Sequence, residues 1–155
     1  NLRFATVYGL SQRVRFDLTV NEFTKELALG RELVIFGEQF WRPYCHVLDL
    51  ARGVLAIFEA PENKVAFEVY NVGDTHENYQ KQMIVSEIQK QLEGTKIKYV
   101  QKNEDPRDYR VNFEKINREL GFKITYRVPD GIRQILQALK DGFINNPDDQ
   151  KYKNI

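Results

Sequence analysis

The sequence predicts a domain of mixed strand and helix, an α/β or α+β arrangement, and three observations carry that reading. Short runs rich in Val, Ile, Phe and Tyr alternate with segments whose apolar residues recur at helical spacing. At 155 residues the chain has the size of one domain. No linker, internal repeat or low-complexity block divides it.

The elements follow in order. Leu2 to Val7 reads as a strand closed by the Tyr8-Gly9 turn. Asp17 can cap a helix running to Leu29, with Leu18, Val20, Phe23 and Leu27 inward and Gly30 as its stop. Leu33 to Phe36 is a strand ended by Gly37. Phe40 to Val47 is aromatic and extended, because Pro43 disfavours helix. Asp49 reads as the N-cap of a helix from Leu50 to Ala60, with Leu50, Val54, Leu55 and Phe58 as its apolar stripe and Pro61 beyond its end. Val65 to Val72 alternates like a strand and stops at Gly73. A helix is expected from about Asn78 to Leu92, with a core stripe of Met83, Ile84 and Ile88. Lys96 to Val100 is a strand, and Lys102 to Asp108 a charged loop. A short helix from Asn112 or Phe113 carries Ile116 and Leu120 to a stop at Gly121, and Pro129-Asp130 opens a last helix bearing Ile132, Ile135, Leu136 and Leu139. The polar tail from Asn145 onward is expected to fray.

Composition removes several function classes. Lys plus Arg number 23 and Asp plus Glu 22, so a net charge of +1 gives no reason to expect a nucleic-acid partner or a membrane surface. A single cysteine, Cys45, excludes an internal disulfide framework and a multi-cysteine zinc site and fits a reducing, cytoplasmic compartment. The nine glycines are scattered, so neither a dinucleotide fingerprint nor a P-loop is present. No Tyr is followed four residues later by Lys, and His46 and His76 have no metal spacing. Cys45 and His46 are strand neighbours that point to opposite faces, which makes them a poor nucleophile–base pair.

The arginines carry the positive signal. Arg42 stands between Trp41 and Pro43-Tyr44 in an apolar stretch, where a guanidinium either pairs with a carboxylate or faces an anion. Arg107 and Arg110 flank Asp108-Tyr109 in the charged loop. Arg13 and Arg15 follow a strand end, where ligand sites of α/β sheets tend to lie. Asn71 before Gly73 is a turn residue or a ligand contact. Taken alone, these arginines also allow an interaction module.

Four stretches in one order resemble a known family. Leu2-Arg3-Phe4-Ala5-Thr6-Val7-Tyr8-Gly9 is similar to the strand and Val-Tyr-Gly turn that follow the catalytic Tyr/Lys pair of extended short-chain dehydrogenases/reductases. Arg42-Pro43-Tyr44-Cys45-His46-Val47-Leu48-Asp49-Leu50-Ala51 resembles the family's Arg-x-aromatic-x-His-Val-x-Asp-hydrophobic-Ala stretch. Tyr70-Asn71-Val72-Gly73 is similar to its Asn-containing strand end. Asp105 to Val111, Lys115 and Leu120-Gly121-Phe122 resemble its Arg-rich loop and the helix after it. The chain is thereby identified with the NAD-dependent epimerase/dehydratase family acting on nucleotide sugars.

The resemblance implies that this chain is the C-terminal, substrate-binding half of a Rossmann-type enzyme, with Leu2–Val7 and Val65–Val72 completing the cofactor-domain sheet. NAD and the catalytic Tyr/Lys would belong to an N-terminal half, so this chain alone would be inactive. Arg42 would contact the substrate diphosphate, and Arg107 or Arg110 would supply a second cation. Thr6 stands where many members carry an Asn facing the sugar, and Phe4 where the backbone passes the nicotinamide. Asn21 lies where the family often has Pro, and Trp41 would mark a subfamily. A homodimer is expected of the full-length enzyme. A free-standing, non-catalytic nucleotide-sugar-binding module is the alternative.

Overall fold

Three small sheets, each holding a parallel strand pair, are joined by helices packed on their faces. The computed structural model describes residues 1–101 and 108–154, so Arg107 and most of the charged loop lie outside the described residues. The strands are β1 (Leu2–Phe4), β2 (Thr6–Tyr8), β3 (Glu32–Phe36), β4 (Trp41–His46), β5 (Tyr70–Val72), β6 (Asn78–Gln80) and β7 (Lys96–Val100). The helices are α1 (Thr19–Ala28), α2 (Val47–Glu59), α3 (Glu62–Val65), α4 (Lys81–Gln89), α5 (Glu114–Leu120) and α6 (Val128–Lys140).

β1 pairs parallel with β5, setting Arg3 opposite Asn71. β4 is the middle strand of the second sheet, parallel to β2 and antiparallel to β6. β3 and β7 form a third, parallel pair. One core joins Tyr8, Phe23, Ile35, Tyr44, Ile84 and Ile132 beneath α1, α4 and α6. A second gathers Ala5, Leu50, Val72, Phe113, Ile116 and Phe122.

The joint between β2, β4 and α6 is close. Gly9 turns with φ 101°, a conformation that L side chains rarely adopt, and a Cβ there would overlap the His46 ring. A Cβ on Gly131 would overlap the Tyr8 ring, so α6 approaches β2 to backbone distance.

The structure corrects several element boundaries. The first strand breaks at Ala5 into β1 and β2, which join different sheets. Asp17 does not cap α1, whose N-cap is Leu18; Asp17 instead pairs with Arg15 at 2.7 Å. Asp49 lies inside α2, and the His46 ring caps that helix by accepting from the Leu48 N–H at 3.2 Å. Leu55 and Phe58 face outward, because α2 rests on the sheet through Leu50 and Gly53. The expected strand from Val65 shrinks to β5, since α3 takes Val65 and Phe67 adopts φ 59° with its ring exposed. The helix expected from Asn78 begins at Lys81, because Asn78–Gln80 pairs with β4. Met83 is 38% exposed, and Ile84, Val85 and Ile88 form that part of the core.

The tail does not fray. Ile144 is buried with Val14, Phe16 and Ile135. The Phe16 N–H donates to the Tyr152 carbonyl at 2.8 Å, and the two rings meet edge to face. Asp148 pairs with Arg31 at 2.5 Å and with Lys25 at 3.1 Å.

Asp49 is fully buried and accepts from the Thr125 N–H at 2.9 Å and the Tyr126 N–H at 2.8 Å, and its other neighbour is Arg52 at 2.6 Å. Its replacement by Ala leaves those donors without an acceptor. Asp49→Ala is expected to cost about 3 kcal/mol in urea unfolding, whereas Leu55→Ala on the exposed face should stay within about 0.5 kcal/mol. Equal effects of the two changes would refute the staple.

The tail should be acid-labile. The Arg15 guanidinium, helped by the Asn154 N–H, holds the Asp17 carboxyl down to about 2. Arg31, then Lys25, hold Asp148 well below the usual carboxylate range. Depressed folded-state values mean that this contribution is complete above the unfolded value of about 3.9 and is lost as pH falls toward the folded value. Resonances of Phe16 and Tyr152 are expected to lose their mutual ring shifts between about pH 4 and pH 2 while the core stays native. Persistence of those shifts at the acid end would show that the tail is held by other forces.

Candidate functional site

The site is built on β4 and the segment 108–113 that runs beside it. Side chains supply the hydrogen bonds that lay this segment down. The Trp41 N–H donates to Asp108 Oδ1 at 2.8 Å, and the Tyr109 N–H donates to the Trp41 carbonyl at 3.3 Å. The Asn78 amide imitates a strand partner: its Oδ1 accepts from the Val111 N–H at 2.9 Å, and its Nδ2 donates to the Val111 carbonyl at 3.0 Å. Thr75 Oγ1 accepts from the Phe113 N–H, and Asn71 Nδ2 donates to the Asn112 carbonyl. The backbone of this segment is thus paired without a ladder of its own.

Between this segment and β1 opens a cleft of about 440 Å³, lined by Arg3, Phe4, Pro43, Asn71, Tyr109 and Arg110 among others. Two arginines meet two aromatic rings here, Arg110 and Tyr109 from the cleft lining and Trp41 and Arg42 from the neighbouring β4. The Arg110 guanidinium lies 5.0 Å from the Trp41 ring, and that of Arg42 lies 5.7 Å from the Tyr109 ring. Arg42 Nη1 also donates to the Trp41 carbonyl at 2.7 Å.

The expected site residues are distributed as follows. Arg110 and Phe4 line the cleft, and Phe4 is 53% exposed. Thr6 follows the cleft residue Ala5 and sits opposite Tyr44 in register, on the face of the β2–β4 pair that also carries Arg42. Asn71 opens onto the cleft while donating to Asn112. Asn21 is elsewhere: it is buried beside a smaller hollow of about 240 Å³ that also takes in Arg13 and Arg15. Its Oδ1 accepts from the Gly9 N–H at 3.0 Å, and its Nδ2 donates to the Arg15 carbonyl at 2.9 Å. The Asn21 amide therefore fixes the turn after β2, and a direct ligand contact would compete with those bonds. Arg15 is engaged with Asp17.

Sequence reasoning passed over Tyr109, Asn78 and Arg3. An aromatic inside a charged loop was the available signal for Tyr109. Nothing local marks Asn78, whose partner Val111 is 33 residues away.

Among the described residues no group of three His, Cys, Asp or Glu side chains could hold a metal ion. His46 is spent on structure: Nδ1 accepts from Leu48, so Nε2 carries the proton and meets Gln134 Oε1 at 2.8 Å. Its ring stacks on Tyr126 at 4.5 Å. Burial pushes the Cys45 thiol up to about 12, with nearby Asp49 and Glu77 adding to it. Iodoacetamide at pH 8 is therefore expected to leave native Cys45 unlabelled for hours and to label it within minutes in urea. Rapid labelling of the native chain would show an accessible thiolate. Among the described residues no helix is long and apolar enough to cross a membrane.

Comparison with known proteins agrees with this architecture. The model of the NAD dependent epimerase/dehydratase family matches residues 1–73. A UDP-glucuronic acid 4-epimerase from Bacillus cereus, solved with UDP-glucuronic acid and NAD, is 25% identical with a TM-score of 0.76, over 90% of this chain and 44% of its own. A UDP-glucose 4-epimerase from Thermotoga maritima, solved with UDP-glucose, is 24% identical with a TM-score of 0.73, over 92% of this chain and 46% of its own. The NAD dependent NDP-hexosamine 5,6-dehydratase TunA shares the fold at 19% identity and a TM-score of 0.73, over 94% of this chain and 46% of its own. This chain thus spans a little under half the length of these structures, and its fold is that of extended short-chain dehydrogenase/reductase epimerases and dehydratases.

Proposed function

We propose that this chain belongs to the NAD-dependent epimerase/dehydratase family, whose model matches residues 1–73, and that it is the C-terminal, substrate-holding portion of an enzyme acting on a nucleotide sugar. The observation that carries the reading is the cleft beside β1, lined by Arg3 and Arg110, with Arg110 braced on Trp41 and with Arg42 against the cleft residue Tyr109. A diphosphate needs fixed cations, and planar guanidinium groups meet phosphate oxygens in pairs.

Each residue then has a task. Arg42 and Arg110 hold the diphosphate, with Arg107 as the further candidate. The Thr6 hydroxyl orients the sugar as donor or acceptor. Pro43, Phe4 and Phe113 form an apolar wall that keeps water from the reacting carbon. Asn21 holds the Gly9 turn that ends β2 in place. The half-exposed Phe4, at the end of β1, offers its backbone beside the nicotinamide. That fit is partial, because this chain carries no Gly-rich loop for a dinucleotide diphosphate. NAD, when bound, supplies transient oxidation of a sugar carbon and its reversal. We assign most of its binding, with the Tyr/Lys pair, to a portion that precedes β1, whose sheet β1 and β5 would extend. Epimerisation and dehydration, isomerase and lyase outcomes, both start from that oxidation. The reading includes a cytoplasmic location, a homodimer of the full-length enzyme, and no nucleic-acid or membrane partner.

Calorimetry tests the holding role separately from catalysis. UDP-glucuronic acid is expected to bind the 155-residue chain, and Arg42→Gln to weaken it at least about tenfold, the size of a lost charge-assisted contact. The same chain with NAD should convert no nucleotide sugar above a buffer control. Failure of UDP, UDP-glucose and UDP-glucuronic acid to bind at millimolar concentration would overturn the proposal.

A further inference from the structure

We propose that Trp41 is a positioning residue that aims Arg110 at an anion in the cleft; this rests on the substrate-holding reading above. Arg110 is exposed, and in solution a free arginine side chain samples many rotamers, each of which costs entropy to settle on binding. Here its guanidinium is 5.0 Å from the indole centroid. A cation over an indole ring is held by the ring quadrupole and not by a hydrogen-bond acceptor, so its N–H groups stay available to an anion. Among the described residues no carboxylate is paired with Arg110. Arg110 borders both the cleft and a second hollow whose lining includes Trp41, so the indole and the cleft meet at this side chain.

The backbone that carries the indole is itself held. The Trp41 N–H is bonded to Asp108 and the Trp41 carbonyl to Tyr109, so the strand and the loop move as one piece. Asn78 grips Val111, the residue after Arg110, through both its amide atoms. Tyr109, the residue before it, lies against Arg42. Arg110 thus stands between two anchored neighbours on a bonded backbone, and Trp41 settles its remaining freedom. The pair selects a dianionic group such as a diphosphate over a neutral ligand, because the braced cation has its charge to offer and, among the described residues, no paired carboxylate to displace.

Trp41 is the single tryptophan of the chain, so its emission is specific to this position, and binding to the variants that lack it is read by calorimetry. Titrations of UDP and of pyrophosphate into the wild type, Trp41→Leu, Trp41→Phe, Arg110→Gln and the double variant Trp41→Leu/Arg110→Gln test the proposal. Trp41→Leu is expected to weaken both ligands about two- to fivefold, the range of an exposed cation–π contact. Trp41→Phe should recover most of that loss. The Leu change should have no further effect once Arg110 is Gln, and Arg110→Gln by itself should shift the emission. Equal losses from Trp41→Leu with and without Arg110 would mean general damage to the cleft and overturn the positioning role. Wild-type binding of UDP that Trp41→Leu leaves unchanged would also overturn it while sparing the substrate-holding reading. Binding of pyrophosphate but not UDP would keep the positioning role and sink the nucleotide-sugar reading.

Discussion

The buried carboxylate of Asp49 is the contact on which the rest of the structure depends. It sits in the first turn of α2 and accepts from two consecutive backbone N–H groups, those of Thr125 and Tyr126, more than 70 residues later in the chain. A carboxylate without water is tolerable only when its lone pairs are used, and here they are. The bond sets Tyr126 on the His46 ring and leads directly into α6. One turn later buried Glu77 repeats the device, accepting from the Val128 N–H at 3.1 Å and from Arg127 at 2.8 Å. Burial raises the Glu77 carboxyl, while Val128 and Arg127 pull it back toward its charged form. Two acids from different parts of the chain thus fix the start of α6, and α6 packs on α1 and β4.

This order of construction explains where the cleft lies. β4 is hydrogen-bonded on both edges, so its side chains have no freedom of register. Alternation along it sends Tyr44 and His46 into the packed joint with α6 and leaves Trp41 and Pro43 toward the segment that follows β7. Its described part, 108–113, has no strand of its own and is laid down by Asn78, Asn71, Thr75 and the Trp41 backbone. The cleft is what remains between it and β1. Its arginines are braced on rings, an arrangement that keeps them charged, solvated at the edge and narrow in orientation.

Much of this was legible from the residues. Helical spacing located α1, α2, α4, α5 and α6, and β-branched runs located β3 and β7, because those patterns are local consequences of burying one face. The motif order around Arg42 and Asn71 led to the family whose model covers residues 1–73. The misreadings share one cause. Asp17 and Asp49 both look like helix caps in sequence, yet Asp17 holds the tail and Asp49 a distant backbone. Val65 to Val69 alternates like a strand but has only the N-terminal residue to pair with, and α3 takes its start. Leu55, Phe58 and Met83 have core-like spacing on faces that no described element covers.

What the sequence by itself determined is the set of elements, the class of fold and the residue types able to meet an anion. These follow from periodicity, turn chemistry and charge, each readable over a few residues. Only the tertiary structure decided that Arg110 rests on Trp41, that Asn78 stands in for a strand beside Val111, and that Asn21 is tied into a turn. Those outcomes depend on which strands become neighbours, and that choice is made by contacts between residues far apart in the chain, where local pattern carries no information.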